Sequence, residues 1–80
     1  MKDISRFFGS DDKFVAKITK MAASTKEYYE DGKLTDEEYT NILENIEKMY
    51  EIEKEAGSIE RKKLLTDAMN AIRMVLPILK

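Results

Sequence analysis

Thr35-Asp36-Glu37-Glu38-Tyr39-Thr40-Asn41-Ile42-Leu43-Glu44-Asn45-Ile46-Glu47-Lys48-Met49-Tyr50-Glu51-Ile52-Glu53-Lys54-Glu55-Ala56 is the stretch on which the fold turns. Tyr39, Ile42, Ile46 and Met49 recur in it at steps of three, four and three, the spacing of one stripe along an α-helix. Such a stripe has to be covered by another element. Its first residues, Thr35-Asp36-Glu37-Glu38, carry a capping-box signature. The Thr35 hydroxyl is placed to accept from the Glu38 backbone N–H, and the Glu38 carboxylate to reach back. Asp36 and Glu37 add negative charge at the positive end of the helix dipole. A helix is expected over about 35–56.

Upstream, Asp31-Gly32 ends a preceding helix, since glycine takes the left-handed conformation that closes a helix C-terminus. That helix is expected over about 10–31, with Ser10 as N-cap and Asp11 and Asp12 in its first turn. Its stripe is Phe14, Ile18, Met21 and Tyr28, with Thr25 in the intervening place, widened by Val15, Ala22 and Tyr29. Residues 1–9, with Ile4, Phe7 and Phe8 before Gly9, form a short separate element. Downstream, Gly57-Ser58 reads as a C-cap followed by a new N-cap, in preference to one helix running through both at about 1 kcal/mol for the glycine. The third helix then spans about 58–79, with Leu65, Ala68, Ile72, Val75 and Leu79 on one side and Leu64, Met69 and Leu76 beside them. Pro77 frays its last turn, because it cannot donate to the Arg73 carbonyl. The expected fold is all-α: a helical hairpin plus a third helix, three-helix-bundle-like and completed by oligomerisation.

Composition narrows the function classes. At 80 residues the chain is one small domain, near the size where a lone core barely outweighs the entropy of folding. It has no cysteine and no histidine, which argues against disulfides, zinc sites and Ser/His or Cys/His catalysis. Charged residues make up 38% of the chain and almost cancel, leaving a net charge of −2. Their distribution says more. Residues 35–57 hold eight acids against Lys48 and Lys54, whereas residues 58–80 hold five bases against Glu60 and Asp67. Opposite charges on successive helices favour packing them side by side, within one chain or between chains, and set register more than they add stability. Neither a secretory signal nor an apolar run of the roughly 20 residues that cross a bilayer is visible. Cysteine-free composition fits a cytoplasmic setting, and the lysine- and glutamate-rich style is that of a small phage or bacterial accessory protein.

Residues 27–38 have the outline of a calcium loop, with Gly32 sixth, Leu34 eighth and Glu38 twelfth, but Tyr29 stands where a third-place oxygen ligand is needed. An ordinary capped turn is the better reading. The turn Gly32-Lys33-Leu34-Thr35-Asp36-Glu37-Glu38-Tyr39, within residues 18–46, resembles the SHOCT-type short helical hairpin over about a third of the chain. That resemblance implies an association module without catalytic residues.

No catalytic, metal or cofactor constellation is expected. The interface residues anticipated for a homo-oligomer are Ile42, Ile46, Met49, Leu65, Ala68, Ile72, Val75 and Leu79. Arg61, Lys62, Lys63 and Arg73 are the candidates for nucleic acid or another anionic partner, although the neighbourhood is rich in acids and no basic-aromatic interleaving accompanies them. The expected role is a non-catalytic protein–protein interaction module, a small regulatory, adaptor or inhibitor protein acting as a homo-oligomer. The alternatives are a nucleic-acid-binding accessory protein using the basic third helix, a small-ligand-binding oligomer, and a membrane-surface protein using Ile4, Phe7, Phe8 and the 75–79 end.

Overall fold

The computed structural model describes residues 4–76. A 3₁₀ turn, Ile4–Phe7, precedes three helices: α1 (Lys13–Glu30), α2 (Asp36–Ala56) and α3 (Ile59–Val75). They form a three-helix-bundle-like, all-α fold, with no strand among the described residues. The last three positions of the anticipated third helix, 77–79, which include Pro77 and Leu79, lie outside the described residues.

Local chemistry sets the helix ends. Ser10 is not the cap of α1. Asp12 is, its carboxylate accepting from the Phe14 and Val15 N–H groups at 3.0 and 3.2 Å, while the Ser10 hydroxyl accepts from Asp12 N–H at 3.1 Å. A carboxylate two residues nearer the apolar stripe outcompetes the hydroxyl for the free N–H groups. At the other end of α1, Lys33 N–H donates to the Tyr28 carbonyl and Gly32 N–H to that of Tyr29, the two bonds of a Schellman motif. Gly32 has φ +77°. The contact that usually completes the motif is made here by the Lys33 ammonium, 5.8 Å from the Tyr28 ring centroid.

Thr35 and Glu38 close the capping box, Glu38 N–H donating to the Thr35 hydroxyl at 3.1 Å and Thr35 N–H to the Glu38 carboxylate at 2.9 Å. The break at Gly57-Ser58 is present, with Ser58 accepting from Arg61 N–H at 3.2 Å. Gly57 itself is extended, φ −91°, so handedness does not demand a glycine there. Gly32→Ala is therefore expected to cost roughly 1–2 kcal/mol, the cost of the left-handed conformation for a residue with a Cβ. Gly57→Ala, whose Cβ would sit at an ordinary 3.4 Å from Arg61, is expected to be close to neutral, and urea titration of the two variants checks both.

The core joins all four elements. Val15, Ile18 and Ala22 of α1, Tyr39 and Ile46 of α2, and Leu65 and Ala68 of α3 are fully buried. Ile4 and Phe7 belong to it too, at 1% and 7% exposure, and the 3₁₀ turn packs on both α1 and α3. Two residues that a membrane-surface reading needs outside are thus inside, and Phe8 packs partly against the same core. Buried Thr19 and Thr25 satisfy their hydroxyls on carbonyls one turn back, those of Val15 at 2.8 Å and Met21 at 2.7 Å. The two α1 tyrosines, both anticipated on its apolar face, differ in burial. Tyr28 is half exposed, while Tyr29 stacks on Tyr39 with ring centroids 4.2 Å apart and donates to Asp36 at 2.7 Å.

Candidate interaction face

The residues anticipated as a subunit interface divide in two. Ile46, Leu65, Ala68 and Ile72 are at most 1% exposed within a single copy, so they belong to its internal core. Ile42, Met49 and Val75 are partly buried against that core. Leu79 lies outside the described residues. The stripe that seemed too wide for one chain is covered by α1 and by the N-terminal turn.

The basic candidates are not free as a set either. Arg61, on the first turn of α3, donates through Nε to Asp12 at 2.6 Å and through Nη2 to Glu53 at 2.9 Å and to Asp12 at 3.3 Å. One guanidinium thereby ties the cap of α1 and the last turns of α2 to the start of α3. The Arg61 hydrogen bond, helped by the Val15 and Phe14 N–H groups, holds the Asp12 carboxyl below its ordinary value despite the opposing effect of burial. Reciprocally, Asp12 and then Glu53 raise the Arg61 pKa.

Arg73 lies twelve positions on, about 18 Å along the helix axis. It grips Glu47 through Nη2 at 2.7 and 3.0 Å and sits 5.7 Å from the Tyr50 ring centroid. Both arginines thus join α3 to α2, the complementarity expected from the acidic middle and the basic end. Lys62 and Lys63 are exposed and, among the described residues, make no ion pair. The four bases therefore do not form one unneutralised surface.

A different feature occupies the outer seam between α2 and α3. Thr40, Leu43, Glu44, Glu47 and Lys48 on one side and Met69, Ile72, Arg73 and Leu76 on the other line a groove of about 600 Å³, open to solvent. Met69, Ile72 and Leu76 form its apolar floor, each no more than 2% exposed, while Glu44, Glu47, Lys48 and Arg73 supply a charged rim. Thr40, Leu43 and Glu47 follow helical spacing one step round α2 from the core stripe, a second row that the sequence displays but that the stronger Tyr39-Ile42-Ile46 row masks. On α3, Ile59 is 86% and Met74 77% exposed. An aliphatic and a thioether at that exposure lie on the outward row Ile59-Lys63-Asn70-Met74.

Among the described residues, no group of acids is gathered closely enough to hold a metal ion. Of the acids in the calcium-like loop, Glu38 is engaged by Thr35 N–H and Asp36 by the Tyr29 hydroxyl. Tyr29 and Tyr39 both have raised pKa values, Tyr29 from its bond to Asp36 and Tyr39 from burial. Neither tyrosine lines the groove. No helix among the described residues is long and apolar enough to cross a membrane. No family model matches the chain, and no curated protein or solved structure is similar to it.

Proposed function

We propose that this chain is a non-catalytic protein–protein interaction module, a small cytoplasmic regulatory, adaptor or inhibitor protein whose contact face is the outer side of α2 and α3. The observation that carries the reading is the groove, an apolar floor inside a charged rim, which suits an amphipathic helix laid into it. The groups with displaced pKa values, Asp12, Tyr29, Tyr39 and Arg61, sit away from the groove, in structural contacts between helices. Binding through the basic third helix is disfavoured by the carboxylates that already hold Arg61 and Arg73.

The reading is tested by placing a photo-crosslinking side chain at Thr40, on the groove rim, and as a control at Ser24, exposed on α1. In cells of the native host, a discrete protein adduct is expected at Thr40 and not at Ser24. Identical adduct patterns from both positions overturn the assignment of the face.

A further inference from the structure

Resting on that reading, we propose that the occupant of the α2–α3 groove is an amphipathic helix of another protein, its apolar face on the groove floor and its basic flank against α2. The argument begins with the outer edge of α2. Glu37, Glu44, Glu51 and Glu55 follow one another at steps of seven, seven and four, so they stand in one row on that helix. All four are exposed and, among the described residues, make no ion pair. Glu44 is also part of the groove wall, with Thr40, Leu43 and Glu47. The acidic row is therefore the outer lip of that wall. It is about 27 Å long and continues about 10 Å past Lys48, the last α2 residue of the groove.

The bases nearby do not cancel it. On α2, Lys48 is exposed and, four residues from Glu44, offsets one carboxylate at most, while the half-buried Lys54 ammonium lies 5.4 Å from the Tyr50 ring centroid. Arg73 is held by Glu47, which is outside the row. On α3 the exposed charges outside ion pairs, Glu60 and Asp67 against Lys62 and Lys63, balance. One wall of the seam thus carries an excess of free carboxylates and the other carries none. Glu51 and Glu55, four residues apart, also repel each other on the free helix. Bases laid beside them relieve that repulsion, a gain that an acidic or neutral occupant lacks.

A helix fits both demands at once. Lying along the seam, it presents one flank at the same steps of seven and four as the acidic row, while the side next to that flank turns down onto Leu43, Met69, Ile72 and Leu76. Lysine or arginine suits the flank, because the long apolar stem crosses the groove edge and the charge reaches the lip. A second copy of this chain does not offer such a helix. Its α1 carries an exposed basic row, Lys13, Lys17 and Lys20, but the apolar side of α1, with Val15, Ile18 and Ala22, is buried in its own core.

The test is fluorescence anisotropy of the full chain with three labelled peptides about 18 residues long, matched to the row. One is a leucine-faced helix with lysines along one flank, the second has glutamates in place of those lysines, and the third scrambles the first. The lysine peptide is expected to bind at least about tenfold more tightly than the other two, and more weakly as salt is raised. Glu44→Lys and Glu51→Lys, folded by circular dichroism, should each weaken it about threefold to tenfold. Glu27→Lys, an equal change of net charge at an exposed site on α1, should leave it nearly unchanged. Equal binding of the lysine and glutamate peptides overturns the proposal. So does a scrambled peptide that binds as well, a Glu27→Lys effect as large as that of Glu44→Lys, or no binding by any peptide. A Thr40 photo-adduct to a second copy of this chain, or to a segment without a basic flank, likewise overturns this identity while leaving the face standing, and the absence of Thr40 adducts removes both.

Discussion

Leu65→Ala is expected to lower the unfolding free energy by about 2–5 kcal/mol, by the lost transfer energy of the side chain and the cavity left behind. Leu65 is fully buried on α3, within the cluster that joins the helices to Ile4 and Phe7. For a chain of 80 residues the loss corresponds to a melting temperature lower by about 10 °C or more. Urea denaturation followed by circular dichroism should show the midpoint falling with the slope nearly unchanged. The loss should also be the same at low and high protein concentration. A core residue stabilises each copy, whereas a residue in a subunit contact stabilises through mass action. If the cost of Leu65→Ala instead vanished on dilution, Leu65 would belong to the contact between copies and its burial within one chain would be the wrong description.

That distinction marks where the sequence stops being legible. The capping box at Thr35, the turn at Gly32 and the cap at Ser58 could be read because each depends on residues within a few positions, and all three are present. The start of α1 was two residues out, since Ser10 and Asp12 both satisfy the local rule and only their competition for the same N–H groups decides. Helical periodicity revealed that α2 and α3 have apolar faces, but not how much of them α1 and the N-terminal turn would cover. Ile4 and Phe7 supply part of that cover from sixty residues away in the chain, a relation no local pattern encodes. The same holds for the arginines. Complementary charge on α2 and α3 was visible as a trend, yet the pairing of Arg61 with Asp12 spans 49 residues and shows only in the folded chain. The groove was hidden for another reason: Leu43 and Thr40 lie beside a stronger row, and Met69 and Leu76 pass for ordinary core.

Arg61→Gln is expected to destabilise the fold more at neutral pH than in acid. The sign follows from Asp12. Its carboxyl titrates below the ordinary 3.8 in the folded chain, chiefly because Arg61 donates to it, so folding is favoured by the ionised form. This contribution is complete above the unfolded value near 3.8 and is lost as pH falls through the lower folded-state value. Glutamine keeps much of the stem but removes the charge and the paired donation. In the variant the Asp12 carboxyl, followed by NMR, should therefore move up toward its ordinary value. Denaturant titrations of the two proteins should differ most near about pH 7, and the gap should narrow as pH falls through the lowered folded-state value of Asp12. An equal gap at both pH values would assign the role of Arg61 to its stem instead. That stem packs 3.4–3.5 Å from where a Gly57 Cβ would stand, and the guanidinium lies 6.0 Å from the Phe14 ring centroid, contacts indifferent to the protonation of Asp12. The pH dependence thus separates the two ways in which one side chain can hold three helix ends together: as the counter-charge of a cap, or as a spacer between them.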